Sequence, residues 1–580
     1  MLGRKGLEKQ LLEDGVLDQE KLDRVQSEMK RTGGELLEIV SQLGYARPEA
    51  VYRSLAKFCG LAFVTPSKLS IPEDLVKQVP ARIATHYNFV PIEERNGTIV
   101  IAVCDPLNSQ LLDDIRLMLK RRVEAAVTTP EEIGRTTKAL YGLGADTVER
   151  ILSDNDSVAS VLSIESQNLS SDLGDENIDA SIIKFVNELL LEAIQSQATD
   201  IHIEPFEDQL RVRYRIDGIL HQIPTPASIR GFHSAIVSRV KIMASLNIAE
   251  KRLPQDGKIL ASVGDDRFDL RVSVLPTPHG ETVNIRILSR ASMFMTLDQL
   301  GFLPEDLGGF HSFLERPHGI ILVTGPTGSG KTTTLYASLS KLNDTDRKII
   351  TIEDPIEYQL RGITQMQVIP RIGFDFSMGL RSMLRHDPDI MMVGEIRDYE
   401  TAEMAIRSSL TGHLVFSTLH TNDASGAVTR LVDMGVEPFL IASTMIASIA
   451  QRLVRCVCSS CSEPFAPPPE LLEKFGVGNA DISEANFRKG RGCEACRHTG
   501  YKGRLAIYEI LPFNNTIKDM TNKKAPSTEI KRRACKMGMK TLRQAGWIQI
   551  CRGKTTLEEV MRVTSDADLI EAIETGDAAV

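Results

Sequence analysis

Gly325-Pro326-Thr327-Gly328-Ser329-Gly330-Lys331-Thr332-Thr333 completes the spacing G-x-x-x-x-G-K-[ST] of a phosphate-binding loop. An apolar run, Ile320-Ile321-Leu322-Val323, precedes it, and a helix-like stretch, Thr333-Thr334-Leu335-Tyr336-Ala337-Ser338-Leu339, follows. Strand, loop and helix therefore come in the order the motif needs, and they predict an α/β domain. Glycines let backbone amides turn toward phosphates, and the helix N-terminus adds partial positive charge. Lys331 is expected on the β- and γ-phosphates of a nucleoside triphosphate, with the Thr332 hydroxyl on Mg²⁺.

Three further apolar strands follow, each ending in polar chemistry, which is where an α/β sheet holds its ligands. Lys348-Ile349-Ile350-Thr351-Ile352 ends in Glu353-Asp354-Pro355-Ile356-Glu357, so Glu353 and Asp354 join the expected nucleotide contacts. Ile390-Met391-Met392-Val393 ends in Gly394-Glu395-Ile396-Arg397-Asp398, which resembles a Walker B segment with Glu395 at the acidic position. Leu414-Val415-Phe416-Ser417 is bracketed by His413 and His420. Hydrolysis needs a carboxylate to orient water and a metal to neutralise phosphate charge. Glu357 is assigned to the water and Glu395 to Mg²⁺, two roles the sequence leaves interchangeable. His413 and His420 are expected to sense the γ-phosphate or to link to a neighbouring subunit.

Upstream, Leu210-Arg211-Val212-Arg213-Tyr214-Arg215-Ile216 alternates with period two, which puts three guanidiniums on one face of a strand. Arg271 in Phe268–Val272 and Arg286 in Val283–Ile287 repeat the alternation. Such a face is either solvated and ion-paired or a source of arginines for phosphate. Downstream, Cys458-x-x-Cys461 and Cys493-x-x-Cys496 can give four thiolates to a tetrahedral Zn²⁺, with paired redox cysteines as the alternative. Cys456 makes the first knuckle C-x-C-x-x-C, so an exchange of ligand between Cys456 and Cys458 stays open.

With 580 residues the chain is too long for one core. Composition and periodicity divide it into an N-terminal module (1–142), an acidic Ser/Asn-rich linker (143–179), a strand-rich subdomain (180–295), the phosphate-loop domain (296–450), a tetracysteine subdomain (451–510) and a helical C-terminal region (511–580). No apolar run reaches the length of a membrane span, so membrane contact is expected only through partners. A net charge of −9 and pI near 5.8 argue against a nucleic-acid binder, and with it against a nucleic-acid translocase. Nine unevenly placed cysteines suggest a reducing compartment.

The ordered motifs resemble the GspE/PilB family of secretion and pilus-assembly ATPases over about residues 180–510. They are ATDIHIEP at 198–205, RVRYRIDG at 211–218, AEKRLPQDGK at 249–258, the phosphate loop, TIEDPIEY at 351–358, MMVGEIRD at 391–398, TGHLVFSTLHTNDA at 411–424 and the cysteine knuckles. The resemblance implies a RecA-like ATPase domain preceded by an α+β, PAS-like domain, a helical N-terminal module and a zinc ribbon insertion. It further implies a Mg²⁺-dependent, cytoplasmic homohexamer that hydrolyses ATP, with Arg215, Arg271 and Arg286 as arginine fingers. Its implied partners are an inner-membrane platform protein and a membrane-anchored docking protein. DPIEYQLRGITQ at 354–365 and SLTGHLVFSTLHTNDASGAVTRLVDMGVEPFL at 409–440 look more like the type II secretion branch, which builds a pseudopilus for protein export, than like pilus extension ATPases. Residues 7–64 resemble paired helical repeats that bind cyclic di-GMP in some relatives. They lack the opening R-L-G, and Met29 and Phe58 stand where each repeat ends in glutamine, so partner docking is expected there instead. A nucleotide-gated scaffold without useful turnover is the competing class, disfavoured by the presence of Lys331, Glu357 and Glu395.

Overall fold

The computed structural model describes residues 2–32, 36–142, 163–164, 176–264, 266–289, 295–477, 482 and 485–564. Most of the expected acidic linker, 143–179, lies outside them. The chain divides into two compact units, Met1–Leu288 and Ser289–Val580.

The first unit opens with helices Leu2–Glu13, Gln19–Thr32, Leu36–Gln42 and Pro48–Cys59. Leu11, Val25, Val40, Val51 and Leu55 are fully buried among them. A three-stranded sheet follows: β1 (Phe89–Arg95) is antiparallel to β2 (Thr98–Val103), and β2 is parallel to β3 (Arg122–Val127). The parallel pair requires a crossover, which the helix Ser109–Leu119 supplies, its first turn capped by Asn108.

A seven-stranded sheet completes this unit. Its strands are β4 (Ser163–Ile164), β5 (Ala198–Pro205), β6 (Leu210–Ile216), β7 (Ile219–Ile223), β8 (Gln255–Val263), β9 (Asp266–Thr277) and β10 (Gly280–Ser289). They lie in the order β4-β8-β9-β10-β5-β6-β7. One face buries Ile201, Ile203, Val212, Tyr214, Leu270, Val272 and Ile285 in a core shared with the helices Glu176–Gln195 and His233–Met243. The Tyr214 hydroxyl, deep in that core, donates to the Leu189 carbonyl at 2.7 Å. Period two sends the alternate residues, including the arginines, to the other face.

The second unit is built on a sheet of β11 (Gly319–Thr324), β12 (Ile349–Glu353), β13 (Thr364–Gln367), β14 (Ile390–Val393), β15 (Leu414–Leu419) and β16 (Met445–Val457). β17 (Ser462–Pro464) and β18 (Arg488–Gly490) form a small separate ribbon, and β19 (Tyr501–Pro512) returns to the main sheet. The main order is β13-β12-β14-β15-β11-β16-β19, parallel from β13 through β16 with β19 antiparallel at the edge. Helices cover both faces, so β11, β12, β14 and β15 are apolar at nearly every position rather than alternating. Ile320, Leu322, Ile352, Val393 and Val415 pack to one side. Ile321, Val323, Met392 and Phe416 pack to the other.

One boundary expected from sequence moves. β16 starts at Met445 and β19 ends at Pro512, and the two pair along their length. Both ends of the expected 451–510 subdomain therefore belong to the central sheet, and the cysteine segment is an insertion at the tip of a long hairpin. The earlier boundary followed the change in composition, which begins before the strand ends.

Candidate functional site

The phosphate loop joins β11 to the helix Lys331–Leu342, so its amides lie at the C-terminal end of a central parallel strand. Gly325 has φ +144° and Gly330 φ +88°. A Cβ on Gly325 would fall 2.7 Å from the Gln451 carbonyl, so glycine is required by both backbone conformation and the neighbouring strand. Pro326, Thr327 and Gly328 are exposed at the mouth, while Thr332 and Thr333 are half-buried on the first helical turn. The Lys331 ammonium folds onto the loop, donating to the carbonyls of Gly325 at 2.8 Å and Pro326 at 3.1 Å. Burial lowers its pKa from the ordinary lysine range, with Glu395 pulling the other way.

Glu395 follows β14 and His420 follows β15, neighbouring parallel strands, and their side chains meet: His420 Nε2 lies 3.0 Å from Glu395 Oε2. Arg397 pairs with the other carboxylate oxygen. Burial raises the Glu395 pKa, but the hydrogen bonds from Arg397 and His420 outweigh it and hold the carboxyl below its usual range. The site acid is thereby kept ionised, as a metal-linked carboxylate needs to be.

His413 is separated from this cluster by the whole of β15. A six-residue strand spans roughly 20 Å. Its Nδ1 lies 2.7 Å from the Ser408 carbonyl and 3.1 Å from Thr411 Oγ1. The expectation that His413 senses the γ-phosphate of its own chain is corrected: a residue preceding a parallel strand faces the end of the sheet away from the loop.

Glu353 also departs from expectation. It is 3% exposed and engaged within the protein: Tyr336 donates to Oε2, while Thr351 Oγ1 at 2.6 Å and Gln365 Nε2 at 3.1 Å donate to Oε1. It is an internal bracket rather than a nucleotide ligand. The Tyr336 oxygen also accepts from the Glu357 backbone amide. Tyr336 thus ties the helix of the phosphate loop to the acidic segment 353–357, on which Asp354 is exposed and Glu357 half-buried. Burial and then Glu353 push the Tyr336 hydroxyl far above its ordinary pKa, so it acts as a donor.

The arginine face of the first unit is ion-paired. Register aligns Arg286, Asp200 and Arg215 in one row across β10, β5 and β6. Asp200 lies 3.2 Å from Arg286 Nε and 3.7 Å from Arg215 Nε. Glu204 takes Arg211 at 3.3 Å and Arg213 at 2.8 Å. Arg271 sits half-buried on β9, opposite Lys258.

The sulfurs of Cys458, Cys461, Cys493 and Cys496 all lie within 4.8 Å of one another. Cys458–Cys493 is 3.8 Å, while Cys461–Cys496 and Cys493–Cys496 are 3.7 Å. A tetrahedron with Zn–S of about 2.3 Å has edges of roughly 3.8 Å, so the donor set fits zinc without rearrangement. The backbone amides of Cys493 and Gly500 donate to Cys496 Sγ at 3.1 and 3.3 Å, stabilising thiolate charge. Cys458, not Cys456, belongs to the cluster.

Sequence reading missed Tyr336 and Gln365, whose hydroxyl and amide sit in apolar or unremarkable contexts, and the Gln451-Arg452 pair. The last was detectable as a long amide and a charge following Ile446–Ala450, a run apolar except for the small Ser448.

Comparison with known proteins adds the following. The family described as "Type II/IV secretion system protein" matches residues 175–562, and the MshEN domain matches 59–147. The latter falls mainly on β1–β3 and their helices, whereas the resemblance to paired repeats lay in the preceding helices. The type IV pilus assembly ATPase PilB of Myxococcus xanthus is 39% identical over 97% of this chain and 99% of its own. The type II secretion system protein E of Xanthomonas campestris is 42% identical over 96% of this chain and 98% of its own. The crystal structure of the pilus retraction motor PilT with bound ADP shares 27% identity over 65% of this chain and 96% of that chain, at a TM-score of 0.45. Among the described residues, no helix is long and apolar enough to cross a membrane.

Proposed function

The chain belongs to the type II/IV secretion system family, the GspE/PilB secretion ATPases that hydrolyse ATP, and on that premise we propose that it is the Mg²⁺-dependent motor of a type II secretion system. The observation that carries the motor reading is the convergence of the phosphate loop, Glu395 and His420 at the C-terminal ends of three adjacent parallel strands. In this reading the amides of Gly325–Thr333 and the Lys331 ammonium bind the polyphosphate, Thr332 and Glu395 hold Mg²⁺, and Glu357 orients water. Six chains form a ring in which Arg215, Arg271 and Arg286 reach nucleotide phosphate, Arg215 and Arg286 leaving their shared partner Asp200 to do so. His420 links Glu395 to the reacting end, and His413 faces a neighbouring subunit. The four cysteines hold structural Zn²⁺. The ring attaches to the inner membrane from the cytoplasm through a platform protein and a docking protein.

The secretion branch is supported by the segments 354–365 and 409–440. Pilus extension is the second reading, favoured by the 39% identity to a PilB along nearly the full chain. Mg²⁺-dependent phosphate release by wild type and Lys331→Ala tests the motor, and turnover that survives in the variant refutes it. Deletion of the gene in its own host, scoring protein export and surface pili separately, decides between the branches: loss of pili with export intact refutes type II secretion.

A further inference from the structure

Gln451 and Arg452 lie where β16 passes the phosphate loop. A methyl group placed on Gly325 would fall 3.0 Å from Arg452 Nη1 and 2.7 Å from Ser329 Oγ, so the guanidinium rests against the first residue of the loop. Nη1 donates to the Gln451 carbonyl at 3.0 Å. Nη2 donates to the Asn422 carbonyl at 2.8 Å, two residues beyond His420. Arg452 therefore spans from the loop to the segment that carries His420. The Lys331 ammonium engages the same Gly325 through its carbonyl, at 2.8 Å. An ammonium and a guanidinium converge on one glycine, and burial, with Arg452 adding to it against Glu395, lowers the lysine's pKa.

Two like charges held together in partial burial repel, and an anion lodged between them turns that cost into attraction. The loop offers a further group for such an anion: the Ser329 hydroxyl is 3% exposed and has no hydrogen-bond partner among the described residues. Arginine's fork can engage a phosphate and still reach a second acceptor, which a lysine at the same place cannot do. Lys331 belongs at the junction of the β- and γ-phosphates, so its neighbour at Gly325 shares the terminal end of the nucleotide.

We propose that Arg452 is a nucleotide-binding residue supplied by the same chain, its guanidinium contacting the terminal phosphate of a bound nucleoside triphosphate. The inference rests on the ATPase reading above and deepens it. Because Nη2 also donates to the Asn422 carbonyl, engagement of the terminal phosphate by the same guanidinium is coupled to residues 420–424. The arginine faces of the first unit play no part in this step.

The test is binding of fluorescent ADP and of a non-hydrolysable ATP analogue, with Mg²⁺, to the full chain, comparing wild type with Arg452→Gln and Arg452→Lys. The expected result for Arg452→Gln is a preference for triphosphate over diphosphate reduced at least tenfold, roughly the value of one charge-assisted hydrogen bond, with ADP affinity changed by less than about twofold. Arg452→Lys, which keeps charge but loses the fork, falls between. A purely structural bracket would weaken both nucleotides alike or neither, and either result overturns the proposal. Should Arg452→Gln not fold, Arg452→Lys decides: an unchanged triphosphate preference overturns the inference. Wild type that binds neither nucleotide overturns the ATPase reading along with it. Wild type that hydrolyses ATP while both variants keep its preference overturns this inference alone.

Discussion

Glu559 is 1% exposed and carries four hydrogen bonds from two arginines. Its carboxylate accepts from the Arg455 amide at 3.1 Å and Arg455 Nη2 at 2.9 Å, and from Arg562 Nε at 3.1 Å and Nη2 at 2.6 Å. Burial raises its pKa, but Arg562 and then Arg455 overcome that and hold it down to about 2 against an ordinary 4.5. That difference, at about 1.4 kcal/mol for each pH unit, is worth about 3 kcal/mol to the folded state. The sign follows from the direction: the contribution is complete above pH 4.5 and is lost as the pH falls from there toward 2. Glu559→Gln removes the charge while keeping a carbonyl for the Arg455 amide. Hydrogen exchange, which reads opening of local units in a multidomain chain, is the suitable assay. At pH 7 the amides of Leu557–Val563 and of the C-terminal half of β16 are expected to open more easily in the variant by about 3 kcal/mol. At pH 4 the gap narrows by about 1 kcal/mol, because the unfolded wild type then takes up protons and the glutamine does not. A gap below about 1 kcal/mol at pH 7, or one that widens on acidification, refutes the reasoning.

Three further outcomes are expected. Tyr336→Phe leaves the buried Glu353 oxygen and the Glu357 amide short of a partner and costs about 1–3 kcal/mol, visible as earlier thermal unfolding of the phosphate-loop unit; an unchanged melt rejects the bracket. Glu395→Gln keeps nucleotide affinity but lowers phosphate release on the order of 10²-fold or more, measured in single turnover with Mg²⁺. Cys493→Ser lowers bound zinc from one per chain to near zero by elemental analysis, and full retention refutes the four-thiolate site.

The strands β11, β12, β14 and β15 were readable from sequence because burial on both faces leaves mostly apolar side chains between turn residues. β13, at the edge with the sequence Thr364-Gln365-Met366-Gln367, has no such signature: among the described residues no strand pairs with its outer side, and polar residues are tolerated there. The expected boundary at 450/451 falls inside β16, where Gln451, Arg452 and Arg455 break the apolar pattern. They are retained because each finds a partner on a segment distant in sequence: Thr334, Asn422 and Glu559. The arginine alternation in β6 was plain, whereas its carboxylate partners Asp200 and Glu204 came together only through strand register. The same limit explains Glu353 and His413. Chain position alone does not tell which carboxylate of 353–357 turns into the core, nor that six strand residues hold two histidines at opposite ends of a sheet.

The hairpin of β16 and β19 decides which parts of the second unit depend on the cysteine insertion. Val457 and Tyr501 are paired neighbours across it. Everything between them, including all four clustered cysteines, leaves and re-enters the sheet at almost the same point. A short turn could close that gap without shifting any residue of the phosphate loop. The insertion is thus joined to the sheet at one point, but its Leu472, Phe475 and Phe487 share a core with the helices Leu542–Cys551 and Leu557–Val563, so its loss would uncover those helices before it disturbed the strands that hold the phosphate loop.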